Sequence, residues 1–202
     1  GDGRPAENRV RILEKTPKNA LRVPFFDEVW PDAAFVFLYR DPRQTMSSMI
    51  EAWMSGRFRT YRMLPNWTGH PWSMLLVPGW RDLIGLPLPE IVARQWKATM
   101  EILLDDLSRI PRERLRAIDY DEFVASPQAV VEALAQSLDL EWDRSIGDQL
   151  PLSKTTVSRP DRDKWRRMED VINRVLPIVT DVDERARAFL ASIKGEAHAH
   201  AA

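Results

Sequence analysis

The chain contains no cysteine. That excludes disulfides, thiolate metal ligands and a cysteine nucleophile, and it fits a reducing, cytoplasmic setting. Histidine is scarce as well: there are three, and His198 and His200 sit in the terminal tail, where a frayed end is the plainer reading than a metal site. No metal-ligand cluster is expected. Long apolar runs are missing too. The stretches at 33–39 and 74–78 fall far short of the roughly 20 residues that a membrane helix needs. Nor is there an excess of positive charge. The 29 Lys and Arg are balanced by 30 Asp and Glu, which argues against a nucleic-acid coat while leaving local basic clusters free to hold a small polyanion. No internal repeat or domain boundary is visible. A chain of 202 residues, 44% hydrophobic, is sized for one domain with its own core. We assign residues 1–193 to it and expect 194–202 to be a disordered tail.

What is present alternates between strand and helix patterns. Residues 10–14 form a short strand candidate that runs into Lys15. Thr16 and Pro17 then read as N-cap and first helical residue, and Leu21, Phe25 and Val29, four apart, predict the apolar face of one helix. Residues 34–39 are apolar without alternation, the pattern of a strand buried on both faces of a parallel sheet. The run ends at Arg40. Asp41 follows as N-cap, Pro42 as first helical residue and Gln44 as the third position of a capping box. Arg40 is thereby expected at the carboxyl end of a buried strand, the edge at which open α/β sheets bind ligands.

Residues 53–88 hold Trp53, Trp67, Trp72 and Trp80 among prolines and glycines, and read as a long excursion of the kind that forms lids or binding loops. The spacing predicts a helix at 88–107, a strand at 115–119, a helix opened by Ser126 and Pro127, and closing helices at 165–176 and 181–193. This order predicts an α/β fold, a parallel sheet flanked by helices, with the strands at 10–14, 34–39 and 115–119 as neighbours.

Four segments carry a family resemblance. Phe35-Val36-Phe37-Leu38-Tyr39-Arg40-Asp41-Pro42-Arg43, with Ser48 eight residues after Arg40, resembles the 3′-phosphate-binding segment of the sulfotransferases that use 3′-phosphoadenosine 5′-phosphosulfate (PAPS). Glu14-Lys15-Thr16-Pro17 is similar to the Lys-Thr-Pro of the bacterial and glycan-modifying branch. Residues 115–123, Leu-Arg-Ala-Ile-Asp-Tyr-Asp-Glu-Phe, resemble the family's strand ending in Tyr-Glu-Asp. Residues 152–166, with five cationic side chains, resemble a late loop that closes over the nucleotide.

The resemblance spans about Val10 to Leu176 and implies a P-loop-NTPase-like sheet. It implies sulfuryl transfer from PAPS, without a metal, to a hydroxyl or amine on a small-molecule or glycan acceptor. Arg40 and Ser48 would bind the 3′-phosphate, Tyr120 would lie near the adenine, and Lys154, Ser158, Arg159 and Lys164 would border the nucleotide. Lys15 would contact the leaving group.

Elementary chemistry agrees with the first pair, since a guanidinium gives phosphate a planar fork and a serine adds a donor. Plainer readings stand beside it: a surface Arg-Asp pair, a core tyrosine, a solvated loop. Pro17 stands where the cytosolic aryl and steroid enzymes carry a histidine base, which leaves Glu14 or His70 to take the acceptor proton. Glu14 points to the opposite side of a strand from Lys15, and His70 reads equally as a structural histidine. Trp53, Trp67, Trp72 and Trp80 are candidates for the acceptor pocket or for core.

One family feature has no match. The Gly/Ser/Thr-containing phosphate loop after the first strand is not in residues 1–202 and is expected upstream of Gly1. Without it, transfer should be poor. The alternatives are a non-catalytic nucleotide-binding or protein-interaction module, and another nucleotide-dependent transferase such as a kinase.

Overall fold

The computed structural model describes residues 12–147, 157 and 161–199. Among these, the elements in chain order are α1 (Val23–Val29), β1 (Phe35–Tyr39), α2 (Pro42–Ser55), β2 (Arg59–Tyr61), β3 (Trp72–Ser73), α3 (Leu88–Leu107), β4 (Leu115–Asp119), α4 (Tyr120–Ala125), α5 (Pro127–Gln136), α6 (Glu169–Val175) and α7 (Thr180–Ala199), with short 3-10 turns between them.

β1 and β4 pair in parallel, in register from Phe35 opposite Leu115 to Tyr39 opposite Asp119. Parallel neighbours need a long crossover, which α2, the small antiparallel hairpin β2–β3 and α3 supply. Because the two strands end level with each other, the residues that follow them, Arg40 and Tyr120, leave the sheet at one rim. α7 packs on both strands, and Phe189 meets Phe37 edge to face at 5.4 Å. The long helix α3 buries Ile91, Val92, Trp96, Leu104 and Leu107 and packs against α2, α6 and α7.

Four expectations need correction. Residues 12–14 form no strand, and Ile12 and Leu13 are 84% and 90% exposed; Val10 lies outside the described residues. A strand is stable only when its backbone groups find a neighbour, and among the described residues β1 pairs with β4 alone. Nor is β1 buried on both faces. Its pleat sends Phe37 and Tyr39 into the core, while Val36 and Leu38 remain 37% and 49% exposed. An apolar run shows that a strand suits burial, not what lies over it.

The single helix expected from Thr16 to Val29 is two pieces, a 3-10 turn at Pro17–Leu21 and then α1. Pro24 lacks the N–H that would continue the ladder, and its ring would meet the carbonyl of Ala20. Phe25 and Val29 consequently lie exposed while Val23 turns into the core. At the other end α7 continues past Lys194, where a disordered tail was expected, to Ala199, and the Lys194 ammonium pairs with the Glu122 carboxylate of α4.

The tryptophan-rich excursion is core. Trp53, Trp72 and Trp80 are buried, and Trp72 packs edge to face on Trp53, Trp80 and Trp67, with the Trp67–Trp72 centroids 4.9 Å apart. Gln95, 1% exposed, reaches out of α3 to bind the excursion. Its Nε2 donates to the carbonyls of Leu75 at 2.6 Å and Ser73 at 3.1 Å, and its Oε1 accepts from Trp53 Nε1 at 3.1 Å. One buried amide thus ties α3 to the backbone of the excursion, sharing the Leu75 carbonyl with Trp72 Nε1.

Candidate functional site

The site is built at the exit from β1. Asp41 caps α2: its carboxylate accepts from the Arg43 amide at 2.8 Å, and its carbonyl accepts from the Thr45 amide at 3.0 Å. Pro42 suits the first helical position because it has no amide to leave unpaired. The turn holds Arg40 beside Tyr120, with the guanidinium 4.5 Å from the ring centroid. Arg40 Nε donates to Gln44 Oε1 at 3.3 Å, and Gln44 Nε2 donates to the Asp121 carboxylate at 3.1 Å. Gln44 therefore does not close a capping box as expected. It is buried and wires the end of β1 to the start of α4.

A cavity of about 310 Å³ opens here. Arg40, Ser48, Tyr120 and Lys164 border it with charged and hydroxyl groups, and Met49, Phe58 and Met74 supply an apolar wall. Ser48 lies two turns into α2, on the helix flank. Lys164 Nζ sits 2.5 Å from Glu51 Oε2, and Trp165 carries the guanidinium of Arg43 over its ring at 4.9 Å. Arg162 meets Asp121 at 3.1 Å.

Beneath the rim, Tyr39 donates from its hydroxyl to Asp183 Oδ1 at 2.7 Å. Burial first, and that bond second, push the Tyr39 hydroxyl well above its ordinary range. Burial alone would push the Asp41 carboxyl up, but its bonds from Arg43, together with the nearby Arg187, outweigh burial and hold it below the usual carboxylate range.

Four residues singled out from the sequence, Arg40, Ser48, Tyr120 and Lys164, meet at this cavity from three distant segments. Lys154, Ser158 and Arg159 lie outside the described residues. Lys15 and Glu14 are exposed and do not border the cavity; Glu14 accepts from Asn19 at 3.3 Å. His70 is also exposed and away from it, and its carbonyl accepts from Trp67 Nε1 at 2.8 Å. Trp53, Trp67, Trp72 and Trp80 pack together in the core layer, and none of them lines this cavity. Trp165, the first residue of a predicted closing helix, does line it.

Sequence reasoning passed over Glu51, Phe58 and Met74. Glu51 was within reach, because it stands three residues after Ser48 on one helix face. Phe58 and Met74 come from the hairpin region, joined by a bond from the Met74 amide to the Phe58 carbonyl, and no local pattern announces that pairing. Among the described residues no group of three or more His, Cys, Asp or Glu is placed to hold a metal, and no helix is long and apolar enough to cross a membrane.

A family profile described as the sulfotransferase family matches residues 3–144, more than half of the chain. The chain belongs to the sulfotransferase family. Within that family it is similar to protein-tyrosine sulfotransferase A of Caenorhabditis elegans, 20% identical over 138 residues, which cover 67% of this chain and 29% of that relative. Among solved structures, it is similar to the sulfotransferase domain from the curacin biosynthetic pathway, with a TM-score of 0.46 and 16% identity over 84% of this chain and 61% of that one. The chain thus spans less than a third of the curated relative's length. Its cavity rim offers what an anionic group requires, a guanidinium held in plane, a hydroxyl and an ammonium within one concave surface.

Proposed function

We propose that this sulfotransferase-family chain takes PAPS as its donor, with the 3′-phosphate on Arg40 and Ser48, the adenine side near Tyr120, and Lys164 on the phosphate-rich face. The observation that carries the reading is the meeting of these four residues at one cavity, at the carboxyl end of a parallel strand pair. PAPS supplies a sulfuryl group that an acceptor hydroxyl or amine attacks at sulfur, as the bond to the phosphate oxygen breaks and the proton passes to a base.

The chain's own residues serve the nucleotide end of that reaction. Tyr120 and Gln44 fix the plane of the Arg40 guanidinium, so the fork is ordered before the phosphate arrives. Lys164 exchanges its carboxylate partner Glu51 for the phosphate. Lys154, Ser158 and Arg159, which lie outside the described residues, are taken as further nucleotide contacts from the family motif alone; Lys15 does not border the cavity and is assigned no contact there. The acceptor is a hydroxyl or amine of a small molecule or glycan. Neither Glu14 nor His70 borders the cavity, and neither is assigned the base.

The test is direct binding of PAPS and of its analogue without the 3′-phosphate. Arg40→Ala should weaken PAPS by about 1.5–3 kcal/mol, roughly tenfold or more, and the analogue far less. Equal losses for both would remove Arg40 from the phosphate site.

A second reading, nucleotide binding without transfer, is favoured by one observation: among the described residues no glycine lines the cavity and Lys15 stands apart from it, so the lining does not include the family's glycine-containing phosphate turn. The donors of such a turn contribute about 10²–10³ each to rate in other enzymes. A labelled sulfate-transfer assay on this chain, and on one extended upstream by a strand and phosphate loop, separates the two readings. Gain of transfer on extension supports the enzyme; PAPS binding with no transfer by either chain, over a broad acceptor panel, supports the binding module.

A further inference from the structure

The two residues that flank Arg40 are both tied to the C-terminal helix, on the side away from the cavity. Tyr39, 4% exposed, donates its hydroxyl to Asp183 Oδ1 at 2.7 Å. The other oxygen of Asp183 accepts from Arg187 Nε at 2.9 Å, and the Arg187 guanidinium lies 5.3 Å from the centroid of the Tyr39 ring. Arg187 then reaches Asp41 Oδ2 at 3.4 Å, where Arg43 Nη2 also donates at 2.7 Å. Asp41 in turn caps α2. The chain of contacts begins at Tyr39 and ends at Asp41, and it encloses the backbone of Arg40 while leaving the Arg40 side chain to the cavity.

We propose that Asp183 and Arg187 of α7 are positioning residues for Arg40, acting through Tyr39 and Asp41 to hold the phosphate-binding guanidinium at the rim. The inference rests on the reading of Arg40 as a phosphate ligand. More than 140 residues separate the two ends of each of these links, so no local turn preference produces them. The direction of control is also physical. Arg40 and Tyr120 border the cavity, but neither touches α7 directly in these contacts; what α7 holds is the pair of anchors on either side. The Tyr39 hydroxyl keeps its proton across the working range, because burial and Asp183 both push its ionisation up, so the Tyr39 link is a fixed donor. A guanidinium bound to a carboxylate on each side restrains the turn more than helix docking alone would require.

The test compares the unaltered chain with Asp183→Ala, which cuts the Tyr39 link and takes from Arg187 its carboxylate on α7 while leaving the Arg187–Asp41 contact, and Asp183→Asn, which keeps an acceptor for Tyr39. Each is titrated by calorimetry with adenosine 3′,5′-bisphosphate and with adenosine 5′-monophosphate, and amide hydrogen exchange at Arg43 and Thr45 is followed without nucleotide. The expected result is that Asp183→Ala lowers the preference for the bisphosphate about tenfold, with monophosphate affinity changed by no more than about twofold, and speeds exchange at both amides. Asp183→Asn should restore part of the preference. Where Asp183→Ala does not fold, Tyr39→Phe, which deletes only one hydroxyl, carries the same comparison with a smaller loss. A folded variant that keeps the full preference of the unaltered chain overturns the proposal alone. An unaltered chain with no preference for the bisphosphate overturns the Arg40 reading, and the proposal with it.

Discussion

The tryptophan-rich excursion and the Arg40 rim sit on opposite ends of α2 and solve opposite problems. In the buried layer of the excursion, the polar groups are closed on one another. Trp72 is 0% exposed and gives its Nε1–H to the Leu75 carbonyl at 2.7 Å, while Gln95 serves two carbonyls and one indole. At the rim, polar groups are many and face a cavity. Arg40, Ser48 and Lys164 remain partly exposed, and the partners of Arg40 and Lys164, Gln44 and Glu51, are side chains that a ligand can replace. The first region draws its stability from apolar burial. The second is held by charge-assisted bonds that sum to less in water but orient groups sharply. A residue type therefore does not announce a binding role: the tryptophans look like a pocket and pack as core, while a serine on a helix flank faces the open space.

Four experiments test that contrast, beginning with the largest effect. Trp72→Ala should destabilise the chain by about 3–5 kcal/mol in urea unfolding, because a large buried ring leaves a cavity amid Trp53, Trp67 and Trp80. A loss under about 1 kcal/mol would mean that the excursion is not core. Gln95→Leu keeps the volume and removes the amide. It takes the amide from the Trp53 indole and the Ser73 carbonyl and leaves the Leu75 carbonyl to Trp72 Nε1 alone, and about 1–3 kcal/mol should be lost. If nucleotide binding falls with it in the folded protein, the two regions are coupled and the contrast is too simple.

At the rim, Asp41→Asn should cost about 1 kcal/mol at neutral pH by weakening the bonds to Arg43 and Arg187. The folded Asp41 carboxyl titrates below its unfolded value of about 3.9, so its contribution is complete above that pH and is lost as pH falls through the depressed folded value. The gap in stability between the two chains should hence close in acid below about pH 4; a gap of constant size there would point to packing instead of charge. The smallest effect is expected for Glu51→Gln. Freed of its carboxylate partner, Lys164 should bind a 3′-phosphorylated nucleotide about two- to fivefold more tightly at low salt, less so at high salt. Weaker binding would show that Glu51 orders Lys164 for the ligand.

How far all this was legible in the sequence differs from element to element. α3 and β4 run over the residues that periodicity assigns, 88–107 and 115–119, since a long amphipathic repeat and a short apolar run between breakers are local signals. The Asp41-Pro42 start of α2 was equally readable, being cap chemistry within three residues. Of the site, Arg40, Ser48, Tyr120 and Lys164 follow from motifs; two strands ending at a common edge account for Arg40 and Tyr120 sharing a rim, whereas Lys15, expected at the same rim, does not border the cavity. Gln44 was misassigned, because a capping box and a bridge to Asp121 begin from the same residue and only the position of α4 selects between them.

The amino-acid order by itself determined the strands, helices and caps that rest on neighbours within a few residues, and it set Arg40 between a strand and a helix. Tertiary structure alone decided the rest. Whether Val36 and Leu38 would be covered depended on what packs over that face of β1. Whether Trp53 and Trp72 would line a cavity depended on the reach of Gln95 from α3. And the residues on either side of Arg40, Tyr39 and Asp41, meet Asp183 and Arg187 only after α7 has docked on the sheet. Periodicity reports the face an element offers; the partner that meets that face comes from elsewhere in the chain, and no local preference encodes the meeting.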